Sequence, residues 1–173
     1  MPCARGLAVR GAGCQTAIVE TFAIREDNPM APDVLALLSE HLAFARKHSP
    51  PADVHAMEAP GLVADDVTFY SARDGSALLA IAALRQLDPL HVELKSMHTA
   101  ESVRGQGFGR AMLAHLVGIA RARGCTRISL ETGTVTAFAP ARALYASAGF
   151  VPCEPFGEYW HSPASVCMTL ALA

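Results

Sequence analysis

The stretch Arg104-Gly105-Gln106-Gly107-Phe108-Gly109-Arg110 places three glycines at alternate positions between two arginines, just ahead of an amphipathic run. Glycines there let the backbone pass close to a ligand, and the first turn of a helix offers N–H groups with no internal acceptor. The helix dipole adds partial positive charge, so the natural chemistry of this spot is capture of an anion such as a phosphate. Spacing narrows the choice of phosphate. A P-loop would end in Gly-Lys-Ser/Thr, which is not present. A dinucleotide fingerprint would use Gly105 and Gly107 and then a small residue where Arg110 stands. Glu131 does lie about 20 residues on, where a ribose-binding acid belongs. Thr99 to Val103, however, separate the loop from its strand, so a Rossmann-type dinucleotide site is the weaker alternative. A glycine cluster that serves only as a turn is another.

Hydrophobic periodicity supplies the elements that must position this loop. Val19 to Arg25 alternates as a first strand, and Pro32-Asp33 opens a helix through Lys47 with Val34, Leu37, Leu38, His41 and Ala45 on its stripe. After a polar loop to Asp66, Val67–Ala72 and Ala77–Gln86 form a hairpin about Asp74-Gly75. His91 to His98 alternates as a further strand, with Val92, Leu94, Ser96 and His98 on one face and Glu93, Lys95 and Met97 on the other. The helix after the glycines buries Met112, Leu113, Leu116, Val117 and Ala120 and stops at Gly124. Thr126–Glu131 is a strand, Ala139–Ala148 a short helix, and strands follow from Phe150 and over Ser165–Leu172. The order β-α-β-β-β-α-β-α-β-β predicts a mixed α/β sheet covered by helices.

Composition excludes several classes. The 173 residues suit one domain, and 51% apolar against 17% charged residues is the opposite of a disordered chain. Lys and Arg number 14 against 16 Asp and Glu, which leaves no basic footprint for nucleic acid. Mean hydropathy is +0.27. Yet the longest apolar run, Ala77–Leu84, is far shorter than the ~20 residues that span a bilayer, so no membrane partner is expected. Five cysteines without a C-x-x-C pair argue against a disulfide framework or a metal site and for the cytoplasm. Residues 1–18 are expected as a flexible tail and 19–173 as the single domain.

The pattern Arg104-x-x-Gly107-x-Gly109, between a strand and a helix, resembles the pyrophosphate signature R/Q-x-x-G-x-G/A of the GNAT superfamily of acetyl-CoA-dependent N-acetyltransferases. Downstream, Ala141-Arg142-Ala143-Leu144-Tyr145-Ala146-Ser147-Ala148-Gly149-Phe150 is similar to that family's A-x-x-L-Y-x-x-x-G-F helix and strand. The likeness covers roughly residues 19 to 172. One position departs: many relatives carry Asn seven residues before the helix tyrosine, and this chain has Phe138.

The resemblance implies a GNAT-like fold: a mixed, mostly antiparallel twisted sheet of about six to seven strands, with a strand split that holds the acyl-CoA. It implies acetyl-CoA as co-substrate, with its pyrophosphate on the amides of Arg104, Gly105, Gln106, Gly107, Phe108, Gly109 and Arg110. The pantetheine arm then pairs with the main chain of Met97, His98 and Thr99. Tyr145 is the implied general acid, because a phenol of pKa ~10 can protonate a departing thiolate. Glu93 is the leading candidate base and Glu131 the second; a structural ion pair with Lys95 or Arg127 is the other role open to either. His98 has a suitable pKa for a base but stands at a strand end, and His41 belongs to the core or lines the pocket. Phe156, Tyr159, Trp160 and His161 wall the acceptor pocket or cap the core. The implied reaction is acetyl transfer to a primary amine of a small molecule or peptide, and a homodimer is common in such proteins. A non-catalytic acyl-CoA-binding module is the alternative from another class.

Overall fold

Small and branched apolar residues alternate through the middle of the chain, and they fold as an antiparallel meander. The structure is a computed structural model that describes residues 22–172. Strand β1 (Ala23–Glu26) leads through helix α1 (Pro32–His48) to β2 (Val67–Asp74), β3 (Ala77–Asp88) and β4 (His91–Thr99). Helix α2 (Phe108–Ala122), strand β5 (Arg127–Gly133) and helix α3 (Ala139–Ser147) follow, and β6 (Val151–Cys153) and β7 (Ser165–Ala171) close the chain. The element order matches the expected one. The expected tail over 1–18, and the start of the first strand, lie outside the described residues.

The seven strands form one sheet in the order β1-β2-β3-β4-β5-β7-β6. Only β4 and β5 are parallel; every other neighbouring pair is antiparallel. A Rossmann-type site needs a parallel, doubly wound sheet, so that alternative is set aside. Helix α1 covers one face, packing Val34, Leu37 and Leu38 on Phe69, Ile81 and Ala83. Helix α2 covers the other with Met112, Leu113 and Leu116 against Tyr70, Ala82, Leu84 and Val92. With both faces covered, the central β3 reads as an unbroken apolar run rather than an alternating one. Among the described residues no helix is long and apolar enough to cross a membrane.

Two irregularities of β4 shape the site. First, β4 pairs with β5 only at His91–Arg127, Val92–Ile128 and Glu93–Ser129, whereas β5 stays paired with β7 as far as Gly133–Ser165. Beyond Glu93 the two parallel strands part, and the sheet opens as a split. Second, Ala83 lies opposite Lys95 while Ile81 lies opposite His98, so three steps of β4 face two of β3. This β-bulge centres on Ser96, the one described non-glycine residue with positive φ, at 51°. An inserted residue exchanges the faces of everything after it. Met97 therefore packs with Leu94 on the α2 side, and His98 turns to meet His41 of α1 at 5.2 Å between ring centres. The expected uninterrupted alternation through His98 is corrected accordingly.

Candidate active site

The glycine loop forms as its residue types dictate. A single 3-10 turn (Glu101–Val103) leaves β4, and the chain then enters α2 through Gly107 at φ 95°, a conformation that L side chains rarely adopt. Ala111 N–H is bonded to Gly107 O, so the amides preceding it in the first turn have no acceptor one turn back. Gly109 permits close approach of the helix to the strand, since a Cβ there would lie 3.2 Å from Thr99 Oγ1. The Arg104 guanidinium donates through Nε to Thr99 O at 3.2 Å, and its Nη2 lies 3.2 Å from His98 Nε2. It thus ties the loop to the end of β4. A guanidinium only donates, so His98 Nε2 accepts and the ring is neutral. Burial first, with coupling to His41 and Arg104 acting in the same direction, lowers the His98 pKa to about 4, in accord with this.

A cavity of about 530 Å³ occupies the split. Gly105, Gly107, Arg110, Leu144 and Tyr145 line it from the α2 and α3 side, and His41, Phe44, Asp53 and His55 from the α1 side. Helices α1 and α2 cover opposite faces, so the cavity passes through the sheet between the parted strands.

At the waist stand Glu131 and Tyr145. Glu131, on the unpaired flank of β5, lines the cavity, and its pKa is raised from 4.5 to about 7. Burial is the main cause; Glu93 and Asp53 add to it, while Lys95 and a hydrogen bond with Ser165 oppose it. Tyr145 is buried on α3 and lines the same cavity. Burial first, and Glu131 second, hold its hydroxyl well above the usual phenol range, so it keeps its proton. Glu93 is placed differently. It is 2% exposed, accepts a short hydrogen bond from Tyr159 OH and lies 3.3 Å from Lys95 Nζ. It does not line the cavity, and Lys95 and Tyr159 lie between. Of the two carboxylates named from the sequence, the structure brings Glu131 to the passage and holds Glu93 in a buried ion pair.

The sequence and the fold have known counterparts. The acetyltransferase (GNAT) family pattern matches residues 32–150. This chain belongs to the GNAT acetyltransferase family. It is 42% identical over 149 residues to the uncharacterized N-acetyltransferase YsnE of Bacillus subtilis, across 86% of this chain and 99% of that one. A solved structure of a candidate acyl-CoA N-acyltransferase from Klebsiella pneumoniae superposes with a TM-score of 0.72 at 25% identity, over 88% of this chain and 98% of that one. The fold is also that of a GNAT family acetyltransferase from Elizabethkingia anophelis with acetyl-CoA bound (TM-score 0.66, 18% identity, 88% and 99% of the two chains).

Within this GNAT domain, Phe138 has a packing role. Its ring occupies the space a Cβ on Gly133 would need, and it meets Phe44 edge-on at 5.1 Å. An aromatic bridge thus links the end of β5 to α1 along the cavity wall. His41 is half-buried at the wall, its pKa lowered to about 4 by desolvation and then by Lys95. The loop between β6 and β7 divides its labour: Tyr159 lines the cavity, Phe156 packs against His91 and Tyr159, Trp160 is half exposed beside His55, and His161 is exposed with Glu154 at 3.2 Å. Sequence reasoning missed Asp53, His55 and Phe44 as lining residues and Ser96 as the bulge. Asp53 and His55 sit in a polar loop without periodicity, and nothing around Ser96 breaks the alternation. Among the described residues no group of three metal-ligating side chains stands together.

Proposed function

We propose that this GNAT domain transfers the acetyl group of acetyl-CoA to a primary amine of a small molecule or peptide. The observation that carries the proposal is one passage through the sheet, with an anion-ready helix start at one mouth and Glu131, poised near neutral pH, beside a protonated Tyr145 at its waist. Loop amides of Gly105 and of Gly107 to Arg110 hold the pyrophosphate, those of Arg104 and Gln106 being bonded to Glu101 O and Val103 O, and Arg104 acts by pinning that loop to β4. The unpaired edge of β4 at Met97, His98 and Thr99 receives the pantetheine arm as an added strand, and an N–H there polarises the thioester carbonyl. The acceptor enters from the α1 face as an ammonium. Glu131, rather than Glu93, takes its proton, because it reaches the passage and its pKa suits a base at neutral pH. The freed amine attacks the thioester carbon, the C–S bond of the tetrahedral adduct breaks, Tyr145 gives its proton to the CoA thiolate, and the surplus proton on the new amide nitrogen returns to the Tyr145 oxygen. Holding both substrates end to end supplies much of the rate.

The test is CoA thiol release from acetyl-CoA across a panel of amines, with acetyl-CoA binding measured on the same protein. Acceptor-dependent release supports the proposal. Tight acetyl-CoA binding with no release for any amine would instead favour a non-catalytic acyl-CoA-binding module.

A further inference from the structure

The α1-side half of the passage carries more acid than the proposed acetyl transfer uses, and the role of the surplus rests on that transfer being the reaction. The charged and titratable groups of this half are Asp53, Glu131, Lys95, Tyr159, His41, His55 and His98, the last facing His41 with its Nε2 taken by Arg104. Lys95 cannot receive an anionic substituent. Its ammonium donates to His55 O at 3.2 Å and to Tyr159 OH at 2.7 Å and forms an ion pair with Glu93 at 3.3 Å, so two hydrogen bonds and a buried counter-charge already engage it. Burial, then Lys95, lowers the pKa of both His41 and His55, which leaves both rings neutral at pH 7. Glu131 is committed to the reacting amine. Asp53 remains, at the end of the 3-10 turn Pro51–Asp53. Its Oδ1 is buried and meets no donor among the described residues, and its charge is felt at Glu131. A buried carboxylate oxygen without a donor is costly, and an N–H from a ligand removes that cost.

We infer that Asp53 receives a second cationic group of the acceptor, which is a short aliphatic diamine rather than a free amino acid. Phe44, Phe138 and Tyr159 line the same cavity, and their rings suit both a methylene chain and an ammonium. An acceptor carboxylate would meet Asp53 and Glu131 with the one nearby ammonium already engaged. The cavity, about 530 Å³ in all, must also admit the thioester end of acetyl-CoA, which keeps the diamine short.

The experiment titrates 1,4-diaminobutane, n-butylamine and 4-aminobutyrate calorimetrically into the wild-type protein and into Asp53→Asn, with CoA present throughout. Wild type is expected to bind the diamine about tenfold or more tighter than n-butylamine, the size of one charge-assisted contact, and 4-aminobutyrate more weakly than either. Asp53→Asn should erase the diamine advantage while n-butylamine and CoA bind as before, and Asp53→Glu should restore part of it. The inference is overturned if wild type shows no diamine preference, if that preference survives in Asp53→Asn, or if 4-aminobutyrate binds best. CoA release is read separately. A diamine that binds through Asp53 without turnover sinks acetyl transfer and leaves the subsite standing. Turnover of amines without a diamine preference does the reverse.

Discussion

Glu131→Gln should disable the protein and stabilise it in the same stroke. Glutamine keeps the shape of the side chain and cannot accept the ammonium's proton, so kcat/KM should fall about 10²–10⁴-fold, the usual contribution of a positioned base. The stability effect follows from linkage. Folded Glu131 holds its proton up to about pH 7, whereas the unfolded chain releases it near 4.5. Below 4.5 both states are protonated and the carboxyl costs nothing. As pH rises through this window the unfolded chain ionises while the folded group stays protonated, so stability falls progressively, by up to about 3 kcal/mol once pH passes 7. Glutamine escapes that cost. Thermal unfolding of the variant should therefore match wild type at pH 4.5 and exceed it at pH 8.5, by on the order of 5–10 °C at most for a chain of this size. Activity against pH, with one amine throughout, completes the assay. Wild type should gain activity through about pH 7 as Glu131 loses its proton, and the variant should lack that limb. An unchanged acid limb in Glu131→Gln, or a Tm difference of equal size at both pH values, would refute the assignment of Glu131 as base.

Tyr145→Phe should lower kcat about 10²-fold and leave the KM for acetyl-CoA and the Tm nearly unchanged, and an unaltered kcat at every pH would rule out the phenol as acid. Gly107→Val forces a β-branched residue to φ 95° at the start of α2, so acetyl-CoA affinity by calorimetry should drop about tenfold or more. Lys95→Met strands Glu93, 2% exposed, without its cation, and should cost about 3–5 kcal/mol in denaturant unfolding. Adding Glu93→Gln should recover most of that loss; a double variant as unstable as the single one would mean that the pair is not the cause.

Much of the fold was legible because its signals are local. The apolar stripe on α2, the Asp74-Gly75 turn and the glycines before Phe108 each act through neighbours in sequence, and each element stands where those signals place it. The ranking of Glu93 above Glu131 did not carry into the geometry. Both are acids on adjacent strands, Glu131 two residues beyond Ser129, the partner of Glu93, and only the course of the strands past that pair separates a buried ion pair from a cavity wall. The bulge at Ser96 was likewise invisible, because it is a mismatch of register between β3 and β4 and not a property of β4 alone. Asp53 carried no signal in its own segment; its meaning comes from the side chains that α1, β4 and β5 bring beside it.

By itself, the order of residues determined the elements, the glycine-rich helix start and, through the resemblance of its motifs, the family with Tyr145 as a candidate, since these rest on residues close together along one segment. Tertiary structure decided which carboxylate meets the passage, which groups engage Lys95, and how Phe138 reaches Phe44. Burial and charge coupling are set by groups far apart in the chain. A carboxylate at position 131 titrates near neutral pH only because several distant segments close around it.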